Sequence, residues 1–145
     1  MEDAAGIDEL RELVGRLSGC AVRAVQVQPH GEGRFGLQLS ARDRLGWLWI
    51  HSEAWRLDGR EAVLAAAGDD TGRLAVDLST LVDRVISSVD VRLPGRDTRI
   101  RFEDEVLTIY SVHHRDTSAL PDWTFRLPSG RLLQVGPGPR WAVVE

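Results

Sequence analysis

His113-His114-Arg115-Asp116 is the densest run of chemically capable side chains in this sequence, and Asp122 and Trp123 follow it closely. Two imidazoles and two carboxylates form a donor set suited to a divalent metal, and the same groups serve as general acids and bases. His51, at the matching point of the first half of the chain, joins them as a candidate. Adjacent residues of an extended segment point to opposite faces, however, so His113 and His114 do not converge on one ion. The favoured reading is a solvated loop with one inward histidine, and no metal or other cofactor is expected. A metal-dependent or acid–base enzyme using His51, His113, His114, Asp116 and Asp122 is the alternative.

Other chemical signatures are missing. The sequence holds no Gly-x4-Gly-Lys-Ser/Thr loop, no His-Glu-x2-His and no Gly-x-Ser-x-Gly. Gly31-x-Gly33-x2-Gly36 matches a dinucleotide-binding string, but it leads into a strand pattern, so no helix N-terminus awaits a pyrophosphate. Cys20 is the single cysteine; it excludes an intrachain disulfide and reads as a small buried packing residue. Arg92, Arg96, Arg99 and Arg101 make the densest basic cluster, and the acidic run Glu103-Asp104-Glu105 beside it predicts neutralisation.

Tryptophan is the more informative residue. There are 5 in 145 residues. Trp47 and Trp49 alternate with Leu48 and Ile50, so the two indoles share one face of a strand. Either that face is exposed or the strand is buried on both sides. Tryptophan with arginine is the composition of interface hot spots, and Trp47, Trp49, Arg44 and Arg56 are the candidate partner-binding residues. Trp55, Trp123 and Trp141 read as core or edge packing near turns.

The elements that must position these residues follow from hydrophobic spacing. Ile7, Leu10, Leu13, Val14 and Leu17 predict an opening helix stopped at Gly19. Leu78, Leu81, Val82 and Val85 predict a second helix capped by Asp77. A third, over Glu61–Ala67, is predicted from its alanines, with Gly68-Asp69-Asp70 as its exit. Period-two alternation predicts strands through Val25-Gln-Val27, Phe35–Leu39, Leu48–Ile50, Ile100–Phe102 and Leu107–Ile109. Three more are predicted in the tail 123–144, divided by Pro128-Ser129-Gly130 and by Gly136-Pro137-Gly138-Pro139.

These elements repeat. Leu17-x4-Val22-x2-Val25-x-Val27 has the spacing of Leu81-x4-Ile86-x2-Val89-x-Val91, and Leu48-x-Ile50 that of Leu107-x-Ile109. The predicted fold is one α+β domain over 1–145. It comprises two similar halves, about 10–57 and 74–125, each a helix plus an antiparallel meander, with a C-terminal hairpin at 131–144. An antiparallel sheet or pair of sheets with helices on one face would bury both helical stripes.

The opening helix, the L-x4-V-x2-V-x-V spacing and the segment Trp123-Thr-Phe-Arg-Leu-Pro-Ser-Gly-Arg-Leu-Leu-Gln-Val resemble small two-copy proteins of Actinobacteria that carry a domain of unknown function. The resemblance spans roughly residues 10–144. It implies the two-copy fold and brings no catalytic residue with it.

Composition bounds the function. Hydrophobic residues make up 43% and charged residues 28%, as in ordinary globular proteins. All 18 basic residues are arginine, with no lysine and no asparagine, as a GC-rich genome would produce. The net charge of −4 argues against a nucleic-acid binder. No apolar run approaches the length of a bilayer span, and the acidic start Met1-Glu2-Asp3 lacks a signal-peptide pattern, so no membrane contact and a cytoplasmic location are expected. The leading reading is a non-catalytic protein-interaction module, an accessory or immunity-type protein that covers another protein's active face. A homodimer or larger homo-oligomer pairing through strand edges is the third.

Overall fold

A computed structural model describes residues 4–29, 33–42, 44–112, 120–127 and 129–145. Helix α1 (Ala4–Gly15) buries Ile7, Leu10 and Val14, and Leu17 continues the stripe in the turn beyond it. Gly19 then takes φ 89°, a conformation that costs glycine nothing, and the chain turns into a strand.

Strands β1 (Ala21–Val27), β2 (Phe35–Ala41) and β3 (Arg44–Ile50) form a meander. The chain then leaves this sheet, and β4 (Trp55–Asp58) and β5 (Val63–Ala66) belong to a second one. After α2 (Thr71–Leu78) and a 3-10 turn (Ser79–Leu81), a second meander of β6 (Ser88–Arg92), β7 (Asp97–Arg101) and β8 (Val106–Ile109) joins β4. The chain crosses back, and β9 (Trp123–Arg126), β10 (Leu132–Val135) and β11 (Trp141–Val144) extend the first sheet from β3. The order is β1-β2-β3-β9-β10-β11 in sheet A and β5-β4-β8-β7-β6 in sheet B. The fold is mixed α+β with two antiparallel sheets. Among the described residues no helix is long and apolar enough to cross a membrane.

Register fixes what each sheet contributes to the core. In sheet A, Ile50 lies opposite Trp123 and Leu48 opposite Phe125; in sheet B, Ile109 lies opposite Trp55 and Leu107 opposite Leu57. Val25 faces Leu37 across β1–β2, and Val89 faces Ile100 across β6–β7. All of these inward residues join one hydrophobic cluster. Two indoles tie the sheets together. Trp55 of sheet B donates its Nε1–H to the Gly33 carbonyl ahead of β2 (2.7 Å), and Trp123 of sheet A donates to Thr98 Oγ1 on β7 (3.0 Å).

The segments leading into the two meanders pair with each other. The Gly19 and Val22 amides donate to the carbonyls of Ile86 and Arg84, while Asp83 and Ile86 donate to Val22 and Cys20. Both crossover segments meet as well: His51 and Ser52 donate their amides to the Asp122 carbonyl, and Tyr110 donates to that of Ala54. Helix α1 packs beside β6, and α2 beside β1 and β5. These are edge strands, so the helices close the sides of the core rather than covering one sheet face.

Two expected elements are corrected. Residues 61–67 form no helix; Val63–Ala66 is strand β5, with Ala65 buried opposite Leu57. Ladder bonds to β4 outweigh the modest helical preference of alanine. Gly68-Asp69-Asp70 is therefore the turn between β5 and α2, tightened by the Ala66 amide donating to the Asp69 carboxylate (3.0 Å). The second helix also starts earlier than expected, at Thr71, so Asp77 lies inside it and Asp70 takes the cap position without a side-chain bond. Its buried stripe is Leu74, Leu78 and Leu81, while Val85 is 50% exposed.

Candidate interaction surface

Among the described residues no helix packs on the outer face of sheet A, where β3 places Leu45, Trp47 and Trp49 and the far strands place Leu132 and Val144. Leu48 and Ile50 are fully buried on the inner side; Leu45, Trp47, Trp49 and His51 take the other side. The strand is thus neither open nor buried on both sides. One face is core, and the other carries two half-exposed indoles stacked at 5.2 Å with 17° between their planes.

A glycine makes room for them. Trp49 lies opposite Gly36 on β2, and a Cβ at Gly36 would sit 2.6 Å from the indole ring. The ring therefore covers the bare backbone of the next strand, which holds it flat against the sheet. On the other side Thr124 of β9 stands opposite Trp49, and its Oγ1 lies 3.2 Å from His51 Nε2.

The charge of this sheet differs from that of the whole chain. Its six strands contain no carboxylate, and their only charged residues are Arg23, Arg44 and Arg126, in a protein of net charge −4. At the His51 end a cavity of about 570 Å³ opens between Trp49, Pro29 and Leu120, with Arg34, His51 and Gln28 as its polar wall. Leu120 is 54% exposed there. Arg34 donates to the His51 carbonyl (3.2 Å) and to Glu53 (3.3 Å). Burial first, and then the Arg34 charge, hold the His51 imidazole below its ordinary pKa.

The structure does not gather all four candidate partner residues. Trp47 and Trp49 are together. Arg44 is on the same strand but at the alternate parity, with Leu48 and Ile50, and it lines a different cavity. Arg56 belongs to sheet B, where its guanidinium grips the Asp58 carboxylate through two bonds of 2.8 and 3.1 Å. Sequence proximity misleads here because the chain changes sheets between Ile50 and Trp55.

Of the candidate metal ligands, His113, His114 and Asp116 lie outside the described residues. His51 and Asp122 are neighbours through the backbone, but the Asp122 carboxylate is buried against Gly136, where a Cβ would collide with it. Among the described residues no three His, Cys, Asp or Glu side chains are placed to hold a metal ion. The arginine cluster is not one surface either: Arg96 is buried at φ 64°, its guanidinium pushed to lower pKa by desolvation. The neighbouring acidic run is matched instead by Arg84, which reaches Glu103 and Glu105, and by Arg60, 2.7 Å from Asp104.

Leu45, Gly36 and the Pro29–Leu120 cavity were not singled out from sequence. Leu45 was within reach, since it shares the parity of Trp47; Gly36 and Thr124 needed the cross-strand register. No family model, curated protein or solved structure matches this chain.

Proposed function

We propose that this protein is a non-catalytic interaction module whose contact surface is the outer face of sheet A, centred on Trp47 and Trp49. The observation that carries the reading is the stacked indole pair, half-exposed on a carboxylate-free sheet that no helix covers. Aromatic anchors that are already rigid lose little entropy on binding, and Trp is among the residues most enriched in hot spots. The cavity beside Trp49 offers an apolar seat for one partner side chain, and Arg34 on its wall favours a partner with an acidic group near it. An accessory or immunity-type protein working in the cytoplasm would use such a face to cover an acidic functional surface.

The same reading takes the chain as two structural copies, about 10–57 and 74–125, that have exchanged strands. Support comes from paired registers: Ile50 with Trp123 against Ile109 with Trp55, and Gly19 to Ile86 against Asp83 to Val22. Gly19 and Asp83 both take positive φ. Beyond those bounds β10 also answers β5, which leaves β11 as the strand without a counterpart; it widens the face that carries the indoles.

A position-specific test uses a photo-crosslinking amino acid placed in living cells at Gln38 or Gln134, which flank the indoles, or at Arg99 on sheet B. Adducts with one other protein are expected from the first two sites. Trp47→Ser with Trp49→Ser should abolish them and weaken binding of that protein at least about tenfold, while the fold persists. Adducts from Arg99 alone would overturn the reading, and adducts with a second copy of this chain would turn it into a homodimer.

A further inference from the structure

At the opposite end of β3 lies a second cavity, of about 690 Å³, that the interaction reading does not use. It opens where the inner face of sheet A runs past the core, between the turn after α1, the β2–β3 hairpin and the turn after β9. Its floor is apolar: Cys20, Leu39, Phe125 and Leu127 are each less than a tenth exposed. Its rim is arginine. Arg16, Arg42, Arg44 and Arg126 come from four separate positions in the chain, and no carboxylate lines the cavity among the described residues.

Local bonds and turn geometry hold parts of this rim in place. Arg126 is anchored by donating from Nη1 to the Gly130 carbonyl, at 2.6 Å. Arg42 takes φ 56° as the tight β2–β3 hairpin requires, and this places its side chain at the cavity mouth. Gly46 lets the Phe125 ring lie close against β3, since a Cβ there would press on it at 3.3 Å. Arg44, at core parity, points a cation where the strand pattern calls for an apolar residue.

We propose that this cavity binds a small amphipathic anion, a carboxylate-headed molecule with an apolar body. The head lies among the guanidiniums, which meet carboxylates with paired, charge-assisted bonds. The body covers the buried floor. The volume is within the usual range of small-molecule sites, about 300–1,000 Å³.

The test titrates the isotope-labelled full chain with decanoate below its micellar concentration, followed by amide NMR. Saturable one-to-one binding is expected, with shifts at Leu39, Gly46 and Gly130 and none at the Trp47 and Trp49 indoles. Acetate, which lacks the body, and decyltrimethylammonium, which lacks the negative head, should not bind at these amides. Arg16→Gln with Arg42→Asn should weaken decanoate binding about tenfold or more. Asparagine is chosen because it tolerates the left-handed turn, and Arg44→Gln is the second variant should the first lose its fold. Equal binding of the cationic amphiphile, unchanged affinity in the variants, shifts confined to other regions, or no saturable binding would each overturn the proposal.

Discussion

Replacing Thr98 by valine removes one oxygen from the centre of the protein and leaves its shape almost unchanged. Thr98 is 1% exposed, and its Oγ1 is the acceptor for the Nε1–H of Trp123, itself fully buried. After the substitution that buried N–H loses the acceptor it has in Thr98. An orphaned buried donor costs about 1–3 kcal/mol. Trp123→Phe should cost about 2 kcal/mol or more through lost packing, together with the desolvated threonine hydroxyl it leaves behind. In the double variant neither orphan exists, so its cost should fall short of the sum by about 1–3 kcal/mol. Urea denaturation followed by far-ultraviolet circular dichroism measures all four corners, given an unchanged dependence on denaturant. A Thr98→Val protein within about 0.3 kcal/mol of the parent, or a strictly additive cycle, would refute the bond as a tie between the sheets.

Two further outcomes follow from the geometry. Because the folded His51 pKa is lowered, the unfolded chain binds more protons just below the ordinary value of about 6.5. Its contribution to stability is thus complete above that pH and lost as pH falls toward the folded value; denaturation midpoints from pH 7.5 to 5.5 should decline less in His51→Gln than in the parent. Leu17→Ala and Leu81→Ala, at matching points after α1 and α2, should each cost about 2–5 kcal/mol by the same urea assay, and a gap between them above about 2 kcal/mol would count against the two-copy reading.

Hydrophobic spacing made much of the fold legible. Alternation places Val25, Leu37, Ile50, Ile100 and Ile109 in strands, the repeated spacing adds Val89, and each pairs where a meander requires. Alternation cannot reveal that β4 pairs with β8, some fifty residues away, instead of continuing beside β3. That single crossing separates Arg56 from Trp49. The alanines of 63–66 misled for a related reason, since a strand bonded to one neighbour can tolerate residues whose local preference is helical. At the candidate surface, parity alone put Trp47 and Trp49 on one face. Stacking, the bare backbone at Gly36 and the cavity at Leu120 all depend on side chains from strands distant in sequence.

The chain's two passages between the sheets also set the scale on which it can come apart. Residues up to Ile50 supply half the strands of sheet A, and residues after Trp123 supply the other half; sheet B is divided at the β4–β8 seam in the same way. All five strands of sheet B come from the single run between Trp55 and Ile109, so withdrawing either end of the chain removes three strands of sheet A and uncovers the inner face of sheet B. Local opening costs least at an outermost strand such as β11, which pairs on one side only. Cutting at the midpoint, between β5 and α2, would divide the strands of both sheets between the two pieces.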